Sequence, residues 1–424
     1  MNQGAKAIAR ALAAAAAGAA WGLLGLGWAW AAPLAVFVWA LLASGWALRV
    51  GLAISGVSLA YFLRGLDFAE MAEALAHVRW SWLAPAVASG FGLYAVKAYR
   101  WRILLKPIKV LGFWRLFRAS LMGFMVNCIL PARIGEFVRA GAVAMRGDVR
   151  VTSVFATIMV ERVFDLFGVV FYFGMCAALL WRLLTRPEIS GMMSVVWLWG
   201  GFFGAAVLVA GIGLALLKRF PDRILSLSDR AVRFAFRVAL LMARVLAWPA
   251  PRAFKPRLFG WMERTREEVD QKALQVLEGF ADGLRVVQGP GQVLWLALLS
   301  LVHWGFAILI NYFVGLCFED LGMSLLGASL VFVFTAFAVA LPSAPSFIGV
   351  FQVATEWACR ALGIPAGAVV KSYAMVLWIM VNAPVVVGGF ACLAYEGISF
   401  AELRKRGEHA KEEEEAALAG EAQP

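Results

Sequence analysis

Two short runs keep ionisable side chains where an apolar sequence has little reason to hold them. The first is Leu130-Pro131-Ala132-Arg133-Ile134-Gly135-Glu136-Phe137-Val138-Arg139, with Asn127 just before it. The second is Glu161-Arg162-Val163-Phe164-Asp165. Arg133, Arg139 and Arg162 balance Glu136, Glu161 and Asp165, so the set is able to neutralise itself. On a helix, Glu161 and Asp165 (i, i+4) and Arg162 and Asp165 (i, i+3) project from overlapping faces. Two chemistries fit. An arginine fork grips a phosphate bidentately, with the carboxylates keeping it poised for release. Alternatively, the charges form a buried salt-bridge lock that ties two elements together.

A third polar group is Pro342-Ser343-Ala344-Pro345-Ser346-Phe347-Ile348-Gly349, followed by Gln352 and Glu356. Its hydroxyls and amide offer hydrogen bonds, and the proline and glycine expose backbone amides that could face an anion. Lys371 reads as an interfacial anchor, and His303, single in an apolar span, as a packed residue. Tyr99-Arg100-Trp101-Arg102 reads as positive-inside anchoring at the end of a span. A headgroup access site at Arg100 and Arg102 is the sharper reading. HExxH, P-loop and GxSxG motifs are absent, and His77, His303 and His409 are scattered. The five cysteines form no CxxC. Neither a metal nor a cofactor is expected.

The elements holding these groups follow from composition. Of 424 residues, 62% are hydrophobic and 16% charged, against about 25% charged in soluble domains. That leaves too little polar surface for a cytosolic enzyme. The net charge of +12 is the excess expected of loops facing anionic lipid, and a nucleic-acid partner is not expected. Stretches 46–63, 82–99, 152–181, 193–217, 292–317 and 367–394 are apolar enough to span a bilayer, which takes about 20 residues. Glu161 and Asp165 then fall deep inside the span that starts near 152. Residues 97–118 carry seven basic side chains and no acid, which places that loop in the cytoplasm. Residues 139–150, with three arginines and one aspartate, belong on the same side.

One apolar piece, 117–138, lies between those two cytoplasmic loops, so it should enter and leave on one side as a re-entrant hairpin. Segment 323–363, broken near Pro342 and Pro345, repeats the pattern upside down. The expected architecture is an all-α integral membrane protein. It has about six full transmembrane helices plus two oppositely oriented re-entrant hairpins in an inverted repeat. The plainer reading makes 323–341 and 346–363 two ordinary spans. By segments, 1–45 is an apolar region that could add an N-terminal helix. Residues 46–217 form a first membrane half containing the hairpin 117–138. A basic cytoplasmic amphipathic linker covers 218–290, with 14 basic and 8 acidic residues. Residues 291–395 form the second half with its broken segment, and 396–424 a charged cytoplasmic tail.

Residues 130–139 resemble the transmembrane, flippase-like region of the lysylphosphatidylglycerol synthase and multiple peptide resistance factor family. Tyr99-Arg100-Trp101-Arg102, Glu161-Arg162-x-x-Asp165 and Pro342-Ser343-Ala344-Pro345-Ser346-Phe347-Ile348-Gly349 match its pattern in order and spacing, over roughly 48–394. The resemblance implies a bacterial-type inner-membrane protein that handles polar lipids between leaflets. It places Arg133, Gly135, Glu136, Arg139, Glu161, Arg162 and Asp165 in the family's polar core. The chain departs from the pattern at Ser346-Phe347, where Gly-Gly is common, and at Gln352, where Glu is common. No soluble aminoacyl-transfer domain accompanies it, so lysyl transfer is not expected. The leading expectation is a lipid translocase for anionic, phosphate-bearing headgroups, working through an Arg/Glu/Asp-lined intramembrane cavity. Two alternatives stand beside it. One is a non-transporting accessory protein that partners a lipid or polyprenyl-phosphate synthesis enzyme. The other is an intramembrane lipid-modifying enzyme built on the acid pair Glu161 and Asp165.

Overall fold

The computed structural model describes residues 46–64, 67–130, 134–144, 151–184, 289–340 and 343–405, with scattered positions between 194 and 208. The expected N-terminal segment, the linker 218–290 apart from its last two residues, most of the span 193–217 and most of the charged tail lie outside them. Regular structure among the described residues is helical. The helices used below are α1 Trp46–Leu63, α2 Phe68–Ala76, α3 Leu83–Leu105, α4 Phe113–Ile129, α5 Gly135–Ala144, α6 Val151–Leu179, α7 Pro290–Leu316, α8 Leu325–Ala340, α9 Val350–Ala361 and α10 Ala368–Glu396.

Two of these, α7 and α10, are both long and apolar enough to cross a membrane. With 27 and 29 residues they reach roughly 40 Å, against a hydrocarbon core of about 30 Å. α3 and α6 have the length, 23 and 29 residues, but each carries three charged side chains. Those charges are what makes the fold specific. α3 lies along α7, α4 along α10, and α6 against α5 and α7, which brings the charged faces of α3, α5 and α6 together.

Two helix–break–helix units pack against α10, one through α4 and the other through α9. In the first, α4 and α5 run side by side, and Arg115 Nη2 near the start of α4 donates to the Val143 carbonyl at the end of α5 (2.9 Å). The helices approach so closely because glycine faces glycine. A Cβ on Gly123 would stand 2.6 Å from the Gly135 carbonyl oxygen, and one on Gly135 would run into the Gly123 carbonyl and the Asn127 amide. Asn127 Oδ1 accepts the Gly135 amide proton across the break (2.8 Å), replacing a backbone bond lost there. In the second unit, α8 and α9 likewise fold back, with Gly327 near the start of α8 against Leu362 at the end of α9.

The second break is held by unusual backbone. Ser346 and Phe347 both have positive φ, 55° and 58°, which side-chain-bearing residues rarely adopt. Gly349, at φ 88°, packs so tightly on the Ser55 carbonyl of α1 that no Cβ fits. The Ala344 amide donates to Ser55 Oγ (2.8 Å), pinning the same break to α1.

The two breaks touch. Ser346 Oγ donates to the Cys128 carbonyl (2.8 Å), and Trp378 Nε1 of α10 donates to the Ser346 carbonyl (2.8 Å). Cys128 Sγ reaches Asn382 Oδ1 (3.3 Å). Trp378 and Asn382 are the eleventh and fifteenth of the 29 residues of α10, so both breaks meet at its middle.

Candidate functional site

On α3, Lys97, Arg100 and Trp101 stand at i, i+3 and i+4 and share one face. On α6, Glu161 and Asp165 present a matching pair of acids one turn apart. α5 contributes Glu136 and Arg139, and α7 contributes Ser300, His303 and Trp304.

Glu161 is the hub. Arg139 clasps it with both terminal nitrogens, at 3.1 and 2.8 Å, in the parallel geometry that makes Arg–carboxylate pairs strong. Lys97 Nζ lies 2.5 Å from Glu161 Oε1 and 3.1 Å from Asp165 Oδ2, bridging the two acids. Arg100 pairs closely with Asp165, lies 3.5 Å from Glu161, and donates to Ser300 Oγ (2.6 Å). Ser300 in turn donates to the Phe164 carbonyl, and Trp304 Nε1 to the Asp165 carbonyl (2.8 Å), so α7 holds α6 in register.

The Arg139 guanidinium also lies 3.7 Å from the centre of the Trp101 ring, a cation–π contact worth about 2 kcal/mol when desolvated. Trp101 is fixed by its indole N–H donating to Thr157 Oγ1 (3.0 Å). Thr157→Val should leave that buried donor unpaired and lower stability by about 1–2 kcal/mol, read as a fall in the thermal unfolding midpoint in detergent. A variant as stable as the parent would show that the Trp101–Thr157 bond does not hold the arginine's platform.

Lys97, Arg100, Arg139, Glu161 and Asp165 are 0–5% exposed. Among the described residues the network is exposed at the edge where Arg162 lies 3.2 Å from Glu136 and 3.4 Å from Asp165, with side chains 37% and 22% exposed for Arg162 and Glu136. Arg162 Nε is buried there without a hydrogen-bond partner. Of the charges read from the sequence, Glu136, Arg139, Glu161, Arg162 and Asp165 do converge, in a largely buried contact. Two cavities, of about 440 and 330 Å³, lie elsewhere. The larger is lined by Arg115, Arg118, Met122, Ala142, Glu396 and Leu403, the smaller by residues such as Arg64, Glu70, Arg360 and Lys371.

Several assignments shift with these positions. Arg100, read as an anchor or access site, is fully buried at the centre of the network, because it follows Lys97 by three residues on the inward face of α3. Arg102, on the outward face, is exposed. Arg133 and Pro342 lie outside the described residues. In the second break, Gln352 is buried and its Oε1 accepts the Gly349 amide proton (2.7 Å), which caps α9. Ser346 is spent on the junction, Pro345 starts its short turn, and Ser343 keeps a buried hydroxyl without a partner. Glu356 pairs with Arg360 (2.6 Å). Lys371, in the first turn of α10, is buried and donates to the Arg64 carbonyl (2.6 Å), closing the end of α1. His303 is packed, as its isolation suggested, with Nδ1 3.1 Å from the Leu93 carbonyl and its ring on Trp304.

Sequence reasoning missed Lys97, Ser300, Thr157 and the two tryptophans. The signal for Lys97 was present. Lys97-x-x-Arg100 offers two cations on one helical face, with the spacing to meet Glu161-x-x-x-Asp165. It was masked by the five further basic residues that follow by position 118, which make the whole run look like a loop.

Among known families, the one described as the lysylphosphatidylglycerol synthase TM region matches residues 48–389 of this chain. No curated protein and no solved structure matches it.

Proposed function

The chain belongs to the lysylphosphatidylglycerol synthase transmembrane-region family, an integral membrane protein connected with lipids, and from that footing we propose that it moves phosphate-bearing polar lipids between leaflets. In this reading the two helix–break–helix units are re-entrant hairpins of opposite orientation. They reach the middle of α10 from the two faces of a bacterial-type inner membrane, among about six spans. The basic run 97–118 sets the cytoplasmic side.

The observation that carries the reading is the charged network itself. Seven ionisable groups from three helices are gathered inside an apolar protein, an arrangement that in a bilayer marks a functional site by default. Among the described residues their accessible edge is Arg162 with Glu136, and there a headgroup phosphate meets the exposed part of the guanidinium. Arg139 belongs to the same polar core, and Asn127 supports it from the break by holding the Gly135 amide. No chemical step is assigned to the protein. The partner is the lipid, with an anionic headgroup.

The burial of the network favours a second reading, in which the protein is an accessory to a lipid-synthesis enzyme and transports nothing. Reconstitution separates the two. In liposomes containing a labelled phosphatidylglycerol, Arg162→Ala should slow exchange between leaflets by about tenfold, the equivalent of ~1.4 kcal/mol of charge-assisted binding. Glu136→Gln, which frees Arg162 from its acid, should change the rate as well. Equal exchange by both variants and the parent would remove the assigned site. Absence of exchange with the parent would favour the accessory role.

A further inference from the structure

The sealed part of the network does not balance. Lys97, Arg100 and Arg139 are three cations, and Glu161 and Asp165 two anions. The half-buried pair Arg162 and Glu136 adds one charge of each sign, so either way of drawing the boundary leaves one positive charge in excess among the described residues. A single unmatched charge in an apolar interior is unfavourable, and the protein has few ways to remove it.

The arginines do not release protons in proteins. Protonating either acid would enlarge the excess. His303 on α7 faces the same cluster, but a proton on it would add a further positive charge, and its Nδ1 is already engaged with the Leu93 carbonyl. That leaves Lys97. It faces Arg100 from its own helix, Glu161, Arg162 and Asp165 from α6, His303 from α7 and the Phe124 ring of α4 at 5.1 Å. Lysine is also the cation that proteins are able to hold neutral when it is buried.

Two states therefore leave the network neutral. In one, Lys97 is an uncharged amine and the site is empty. In the other, Lys97 carries its proton and a singly charged anion occupies the Arg162 edge. From this arithmetic and geometry we infer that Lys97 couples the protein to protons: one proton is taken up for each phosphodiester anion bound and released when the anion leaves. The proton passes between water at the Arg162–Glu136 edge and Lys97 Nζ, and no bond other than N–H is made or broken. The carrier would thus be an anion–proton symporter whose charge does not change over the bound cycle. This rests on the lipid-carrier reading above and supplies what that reading lacks, a source of energy.

The test uses the whole protein in nanodiscs of phosphatidylcholine, titrated with a short-chain phosphatidylglycerol between about pH 6 and 9.5. Both affinity and protons taken up per anion are measured. For the parent, we expect close to one proton per bound anion in the alkaline range, with affinity falling about tenfold per pH unit there. Lys97→Arg, with a charge that cannot leave, should bind without proton uptake and with an affinity flat in pH. Lys97→Met should bind weakly and also without uptake. Thermal unfolding of each variant identifies any that fails to fold, and the parent's own proton count decides the matter without them. Tight binding by the parent with no proton uptake would overturn the coupling while leaving the lipid site standing, as would unchanged uptake in Lys97→Arg. If no form bound phosphatidylglycerol above background at any pH, the lipid-carrier reading would fall and the coupling with it.

Discussion

Glu161→Gln should be the most damaging single substitution in the charged network. One acid faces two buried guanidiniums and an amine here: Arg139 through two hydrogen bonds, Arg100 at 3.5 Å and Lys97 Nζ at 2.5 Å. Neutralising it leaves those groups with Asp165 alone. Removing one partner of a buried ion pair typically costs about 3–5 kcal/mol, because the surviving charge stays desolvated. We expect a loss of that order in unfolding experiments in detergent. The double variant Arg139→Met with Glu161→Leu removes both ends of the bidentate pair and should be less unstable than Glu161→Gln alone, since apolar replacement of a whole pair is often tolerated. A Glu161→Gln protein within about 1 kcal/mol of the parent would mean that the network is far wetter than its burial indicates.

The second large effect belongs to a residue with no side chain. Gly135→Val should prevent α4 and α5 from packing at all. The added carbons would occupy the space of the Gly123 carbonyl and the Asn127 amide. Backbone does not yield as a flexible side chain would, so the helices must separate. The Asn127–Gly135 bond is lost with the contact. Arg139 is one turn further along α5, and the separation would draw it off Glu161. We expect little folded protein, or a loss above about 3 kcal/mol when it is recovered. Gly112→Ala, at a position with open space around it, should behave like the parent in the same assay. Normal expression and stability of Gly135→Val would contradict the close crossing.

The helices themselves were legible in the sequence. The stretches 46–63, 152–181, 292–317 and 367–394 fall within about two residues of α1, α6, α7 and α10, because long, mainly apolar runs leave few choices. Both breaks were legible too, since proline and glycine inside an apolar segment cannot continue a helix. α3 was placed but ended too early, at 99 instead of 105. The basic run reads as a cytoplasmic loop, although Lys97 and Arg100 turn inward while Arg102 and Lys106 face out. The pairing of Arg139 with the acids of α6 was foreseen as a lock, and the structure gives that lock a tryptophan platform no spacing rule announces. The role of Gln352 was not readable either. A buried amide near a turn is equally a ligand or a cap, and only the 2.7 Å contact to the Gly349 amide decides between them.

The joint at the middle of α10 sets a condition on any motion of the protein. Two carbonyl oxygens, those of Cys128 and Ser346, are satisfied there by one serine hydroxyl and one indole N–H. Pulling the halves apart would strand both oxygens, which hydrocarbon cannot solvate. Any separation would therefore have to bring a new donor, such as water, to both oxygens. Pro384, two residues beyond Asn382, weakens the rod at that level by withholding one amide donor. The same level of α10 thus carries both the contact between the breaks and the helix's weakest turn.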